Sequence, residues 1–315
     1  MKRLLLALAF TSVACATALP QAGVGSRPQP TAAASQSTAA QSANTIAASV
    51  LPNAKDSVKF AVIGDTGTGG TAQYQIGKLL ADARTRFPYD FVIMVGDNMY
   101  GGQSPADFVK KFEKPYKPIL DTGIKFYAAL GNHDDPAQRY YKPFNMDGKR
   151  YYAFRKGDVE FFALDTTYLS PAQLDWLKEA LSKSDAKWKI PFFHHPLYSS
   201  GEKHGSEVDL RELLEPLFIQ DGVDVVFAGH EHFYERVKPQ KGIYYFTEGG
   251  SAKLREGNIS TTSALTAKGF DTDNTFMLVE IVKDEMFFET ISRTARVVDT
   301  GSLTRREVAA STSTR

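Results

Sequence analysis

The 315-residue chain has one cysteine, Cys15, so no intrachain disulfide can form and the fold rests on non-covalent packing. Its charges nearly cancel: 37 Lys and Arg against 36 Asp and Glu leave +1, which excludes an overall field for nucleic acid or an anionic membrane surface. Any attraction for anions must be local to a site. Histidine is scarce as well, yet all six residues fall between His133 and His232. No internal repeat is visible, and the apolar N-terminal stretch is too short for a comfortable membrane span. With 43% apolar residues the chain has ordinary globular composition, and a sizeable core is expected.

Lys2 and Arg3 precede the apolar run Leu4 to Phe10, and the small residues Ala14, Ala16 and Ala18 follow. This pattern predicts a secretory signal peptide over residues 1–19 and export to the periplasm or the exterior. Ser12-Val13-Ala14-Cys15 also resembles a bacterial lipobox, with Ser12 where an aliphatic residue is usual. Cys15 is therefore either a lipid anchor to the membrane or lost by cleavage after Ala18. Residues 20–55 are dominated by Ala, Ser, Thr and Gln and hold almost no large apolar side chains. Such a stretch cannot bury enough surface to offset chain entropy, and it reads as a flexible linker. The folded domain is placed at residues 56–300, with a loose Arg-, Thr- and Ser-rich tail over 301–315.

Apolar β-rich runs recur through that domain: Val58 to Ile63, Phe91 to Val95, Lys125 to Leu130, Val159 to Leu164, Lys189 to Phe193, Val223 to Ala228, Ile243 to Thr247, Phe276 to Val282 and Met286 to Ile291. Many are continuous, as expected for strands covered on both faces. Helical patterns alternate with them. Ser170-Pro171-Ala172-Gln173 supplies an N-cap, a proline at the first helical position and a capping-box glutamine. Ser206 is a weaker start signal for a helix through Leu217 that Pro216 should kink or end early, and residues 72–86 form a third candidate. The last two strands, turned at Lys283-Asp284-Glu285, read as an antiparallel hairpin. The pattern predicts an α/β fold with mixed sheets and flanking helices.

Five short motifs follow the apolar runs: Gly64-Asp65-Thr66-Gly67, Gly96-Asp97-Asn98-Met99-Tyr100, Gly131-Asn132-His133-Asp134, His194-His195-Pro196 with His204 shortly after, and Gly229-His230-Glu231-His232. In α/β sheets ligands bind beyond the carboxyl ends of strands, where loops converge. Asp65, Asp97, Asn132, His194 and His230 each stand at such an end. Taken singly, each has an ordinary reading as a turn, cap or surface residue. Together they supply carboxylates, imidazoles, an amide oxygen and a phenol, a ligand inventory for borderline-to-hard metal ions.

The order of these motifs resembles the calcineurin-like metallophosphoesterase superfamily, and within it the purple acid phosphatases in their short, mammal-like form. The branch is marked by Tyr100 three residues after Asp97, and by Gly67 where other branches place a ligand histidine. The resemblance implies two β-sheets packed as a sandwich between helices, a four-layer α+β arrangement, and two metal ions. One ion would be bound by Asp65, Tyr100 and His232, the other by Asn132, His194 and His230, with Asp97 bridging. The His-x-Pro spacing selects His194 over His195, which inherits no role. A phenolate favours Fe(III) at the first site, whereas the second set accepts Fe(II), Zn(II) or Mn(II).

The implied reaction is hydrolysis of a small phosphate ester, with no nucleic acid required. His133 and His204 match the family's outer histidines, expected to orient phosphate and to protonate the leaving alkoxide. A phosphodiesterase or nucleotide hydrolase with the same metals is one alternative, and a tethered noncatalytic metal- or phosphate-binding module is another. Arg236, in Tyr234-Glu235-Arg236, is compatible with substrate contact or a structural ion pair, and Gly101 to Ser104 is a candidate flexible segment.

Overall fold

All nine apolar runs form strands in the computed structural model, which describes residues 51–306. The first half of the domain runs β1 (Val58–Ile63), α1 (Thr71–Arg84), β2 (Phe91–Met94), α2 (Pro105–Phe108), a π-helical turn (Val109–Glu113), α3 (Lys114–Leu120), β3 (Lys125–Ala128), β4 (Tyr152–Lys156) and β5 (Val159–Ala163). The second half runs α4 (Pro171–Lys183), β6 (Trp188–Phe192), α5 (Val208–Gln220), β7 (Val225–Ala228), β8 (Tyr234–Val237), β9 (Tyr244–Glu248), β10 (Thr266–Phe270), β11 (Thr275–Val282), β12 (Glu285–Ser292) and β13 (Val297–Thr304). The signal peptide, Cys15 with its candidate anchor, most of the linker and residues 307–315 lie outside the described residues. Among the described residues no helix is long and apolar enough to cross a membrane.

Two mixed sheets form, ordered β13-β12-β11-β1-β2-β3 and β10-β8-β9-β7-β6-β5-β4. Strands β1, β2 and β3 are mutually parallel, as are β5, β6, β7 and β9. The carboxyl ends of each parallel set therefore lie at one rim of its sheet. The sheets pack face to face through aromatic rings: Phe60 meets Phe161 at 5.1 Å and Phe227 at 6.0 Å, both edge-on. One core joins both sheets to Ile76, Leu79, Leu80 and Ala83 of α1. A second lies under α4 and α5, around Leu177, Leu181, Leu214 and Phe218. This is the four-layer sandwich that the resemblance implies.

The differences from expectation have local causes. Leu51 is buried, and the Asn53 and Ala54 amides each donate to the Glu280 carboxylate at 2.6 Å, so ordered structure begins inside the predicted linker. Likewise β13 carries the fold through Thr304, inside the predicted tail, pairing antiparallel with β12 in a polar sequence that lacks an apolar run. Ser170 caps α4 by accepting from the Gln173 amide, but Gln173 does not close the capping box. Its side chain instead brackets the Asp165 backbone, accepting from its N–H at 2.8 Å and donating to its carbonyl at 2.9 Å. Pro216 does not end α5, which runs on to Gln220. The carbonyl it leaves free, on Glu212, belongs to an exposed residue where water can serve it.

Phe161 sits at the centre of the inter-sheet cluster, stacked on Phe154 at 4.9 Å and edge-on to Phe91 at 5.3 Å. Replacing it by alanine removes contacts from both layers. The expected loss is about 3–5 kcal/mol of unfolding free energy, read from the denaturant midpoint.

Candidate metal centre

The five motifs converge because each follows a strand whose carboxyl end reaches the same rim. Two cross-bonds tie the β1 and β2 loops: the Asp65 amide donates to the Gly96 carbonyl and the Thr66 amide to the Asp97 carbonyl, both at 3.0 Å. Gly96 has φ +92°, and a Cβ there would fall 2.6 Å from His194 Nδ1, so glycine is required for the β2 loop to pass beneath the β6 histidine. Asp65, Asp97 and His230 all adopt left-handed backbone, at φ 53°, 50° and 72°. Each such residue costs roughly 1–2 kcal/mol, and a cluster of them marks a functional site.

The predicted residues come together. Ligand atoms of Asp65, Asp97 and His194 all lie within 4.8 Å of one another, as do those of His194, His195 and His230. The Tyr100 hydroxyl donates to Asp65 Oδ1 at 2.9 Å and lies 3.2 Å from His232 Nε2. On the other side, Asn132 Oδ1 is 3.0 Å from both His194 Nε2 and His230 Nδ1. Asp97 lies between these groups, 3.3 Å from His194 Nε2. His194 Nδ1 is directed at the Val95 carbonyl at 3.1 Å, an arrangement that leaves Nε2 free as a donor to a metal.

The electrostatics fit the same purpose. Asp65 and Asp97 are both buried, and burial together with the Asp97 charge raises the Asp65 pKa well above the ordinary carboxylate range. Burial and the neighbouring His194 push His230 down to about 2, while burial, with Arg255 nearby, pushes His232 down to about 4. These imidazoles are neutral, as ligation demands. Burial and the two carboxylates raise the Tyr100 pKa far above its usual value. Two buried carboxylates facing neutral imidazoles and an amide oxygen are a donor set that fits cations.

His133 and His204 are exposed and flank the donors from opposite sides. The His133 ring is 4.8 Å from that of Tyr100, and the His204 ring is 4.2 Å from that of His230. His195 lies among the donors although the sequence assigns it no role. Its Nδ1 is engaged with the Thr166 hydroxyl at 2.9 Å, and burial lowers its pKa to about 4.

Several supporting residues have roles that the sequence pattern does not assign. Buried Asp134 accepts from the Gly131, Asn98 and Met99 amides at 2.8, 3.0 and 2.9 Å, locking the β2 loop to the β3 loop. Glu231 accepts from the His204 and Gly205 amides at 3.1 and 2.7 Å, which seats the His204 loop. Lys111 donates to the carbonyls of Tyr100 and Gly102 at 2.8 and 2.7 Å. Gln103 donates to the His133 carbonyl at 2.8 Å, so the Gly101 to Ser104 stretch is pinned rather than free. Arg236 is committed to a structural pair, with Nε 2.8 Å from Asp299 Oδ2. A cleft of about 620 Å³ beside Arg150, Tyr151 and Trp176 includes none of the predicted site residues.

These loop ends and their donors define a metallophosphoesterase. The sequence matches the Calcineurin-like phosphoesterase family over residues 58–234. Purple acid phosphatase 4 of Arabidopsis thaliana is 30% identical over 274 residues, spanning 75% of this chain and 80% of that protein. Purple acid phosphatase 17 of the same plant is 29% identical over 245 residues, spanning 65% and 71%. The chain belongs to the calcineurin-like phosphoesterases, in their purple acid phosphatase branch, a family of metal-dependent hydrolases. Among solved structures, purple acid phosphatase PPD1 from yellow lupin (Lupinus luteus) seeds superposes with a TM-score of 0.68 at 20% identity, covering 82% of this chain and 55% of that one. GAP50, the anchor in the inner membrane complex of Plasmodium, gives 0.69 at 21%, covering 80% and 90%. At those identities the likeness is one of fold.

Two predictions follow from packing and charge around the centre. A Cβ on Gly67 would lie 2.0 Å from the Asn98 carbonyl oxygen and 2.4 Å from Met99 Cα, because the β1 and β2 loops bridge there. Gly67→Ala should cost about 1–3 kcal/mol in chemical denaturation, since backbone has to move. Burial raises the Glu248 pKa to about 8, although Thr275 and Ser251 donate to it. An unfolded glutamate titrates near about 4.3, so the folded state holds a proton that the unfolded chain releases between those values. Its stabilising contribution is complete below the unfolded value and lost as pH rises through about 8. In metal-free protein, Glu248→Gln should therefore shrink the fall in Tm between about pH 5 and about pH 9, as followed by circular dichroism.

Proposed function

We propose that the protein is an exported acid phosphatase that hydrolyses small phosphomonoesters at a two-metal centre. The observation that carries this reading is the Tyr100 hydroxyl set between Asp65 and His232, with glycine at position 67, where the Asn98 and Met99 backbone leaves no room for a side chain. Asp65, Tyr100 and His232 would hold an Fe(III) ion, which suits a hard phenolate donor. Asn132, His194 and His230 would hold Fe(II), Zn(II) or Mn(II), with Asp97 shared. The N-terminal sequence pattern supports export.

A bound pair of this kind polarises phosphoryl oxygens and supplies hydroxide near neutral pH. The protein's own part is positional. Asp97 Oδ1 accepts from the His133 amide at 2.9 Å, and Asp65 Oδ2 from the His230 amide at 3.0 Å, so backbone donors fix both carboxylates. Glu231 and Gly205 set His204 at the rim across from His133. The two exposed imidazoles flank the place where a phosphate would sit, and one of them is suited to deliver a proton to the leaving alkoxide.

Metal-replete protein should turn over p-nitrophenyl phosphate between acid and neutral pH and should lose that activity on chelation. Absence of turnover with both this ester and bis(p-nitrophenyl) phosphate would end the phosphatase reading; preference for the diester would revise it. The wild type should also show a phenolate-to-Fe(III) absorption band that disappears in Tyr100→Phe. An active, iron-free, colourless wild type would remove iron from the assignment and leave the hydrolase.

A further inference from the structure

His195 is the imidazole at the centre that neither the proposed ligand set nor the two exposed histidines absorb. Its ring stands 4.9 Å from that of His194 and 4.6 Å from that of His230, and one of its nitrogens lies within 4.8 Å of ligand atoms of both. On distance alone it qualifies as a further ligand of the second set. Thr166 decides otherwise.

This threonine stands in the loop after β5 and is buried, and among the described residues both hydrogen bonds of its hydroxyl are to His195. The oxygen accepts from the His195 amide at 3.2 Å, which spends one lone pair. Its single proton has one acceptor in reach, His195 Nδ1 at 2.9 Å. Turned elsewhere, that proton would be a buried donor without an acceptor, which is costly. Nδ1 therefore accepts, and the ring hydrogen sits on Nε2. A second proton taken up by the ring would go to Nδ1 and leave Nε2 a donor still. Because a ring nitrogen must be free of hydrogen to bind a metal ion, Thr166 makes His195 a hydrogen-bond donor and not a ligand.

The support behind Thr166 is itself well anchored. The Asp165 carboxylate accepts from the Thr167 and Tyr168 amides, both at 3.1 Å, and from Arg150 Nε at 2.7 Å, while Gln173 of α4 brackets the Asp165 backbone. The direction of the half-buried His195 ring is thus set in advance. Among the described residues no hydrogen bond holds the ring of His133 or of His204, and both are exposed. Those two are free to follow a leaving group; His195 is not.

We propose that His195 is a further catalytic histidine, whose Nε2–H donates to an oxygen of the phosphoryl group bound at the centre, on the side of Asn132, His194 and His230. The proposal rests on the phosphatase reading and adds a residue to that site. A donor held in place strengthens its hydrogen bond as charge gathers on the oxygen, and no proton has to leave the imidazole. Its part is charge stabilisation, distinct from proton delivery to the alkoxide.

Calorimetric titration of metal-replete full-length protein with inorganic phosphate reads the contact without turnover, and metal analysis of the same samples reads ligation. His195→Phe should weaken phosphate by about tenfold or more while the metal content stays that of the wild type. His195→Gln, which can place an N–H near the lost one, should recover part of the affinity. Thr166→Val releases Nδ1, so it should weaken phosphate in the same direction and add nothing in the His195→Phe background. Thermal unfolding checks that each variant is folded; if His195→Phe is not, Thr166→Val carries the test, and wild-type affinity there overturns the proposal. Unchanged phosphate affinity in folded His195→Phe would overturn it too, and so would loss of a metal ion, which would make His195 a ligand. A wild type that binds phosphate, and loses affinity in His195→Phe, yet hydrolyses no phosphate ester would instead fail the phosphatase reading and leave the contact standing.

Discussion

Two carboxylates buried side by side, Asp65 and Asp97, impose the constraint around which the rest of the domain is arranged. Taking carboxylates out of water is expensive, and among the described residues no lysine or arginine forms an ion pair with either one. They are tolerated through backbone amide donors, imidazole and phenol neighbours, and left-handed backbone that turns both side chains inward. Parallel strands suit this task because their carboxyl ends bring separate loops to one rim. The sandwich supplies two such rims facing each other, so donors from β1, β2 and β3 meet donors from β6 and β7.

Much of this was readable from residues alone, for a physical reason. A strand covered on both faces is written as an unbroken apolar run, and a polar residue just beyond such a run stands out. The central strands and their terminal donors were therefore visible. Strands β4, β10 and β13 were not, because their partly exposed sequences alternate or are simply polar, and β8 was not because Glu235 and Arg236 interrupt its short, mostly buried run. The same limit applies to the site. Asp65, Tyr100 and His232 stand in motifs, whereas Lys111 lies outside every motif, and Asp134 and Glu231, although inside two of them, act through partners that only the fold brings near.

His195, given no role by its sequence context, lies among the donors, and Thr166 of the β5 loop holds its Nδ1. That link joins the β5 loop to the centre, and Arg150 extends it outward through its pair with Asp165, Nε to Oδ2 at 2.7 Å. The rim is thus larger than the motifs, and it includes one loop that carries no motif at all.

The proline at position 115 has a reach that its place in an outer helix does not suggest. Having no N–H, it cannot bond the carbonyl of Lys111, and that carbonyl accepts instead from Gln73 Nε2 of α1 at 2.5 Å. The helix widens into a π turn at this point, and the Lys111 amine reaches across to the Tyr100 carbonyl. A chain of polar contacts therefore runs from the helical layer to the backbone of Tyr100 at the centre. The buried face of α1 is in this sense part of the wiring of the tyrosine, and sequence drift at Gln73 is constrained by the centre at the strand-end rim.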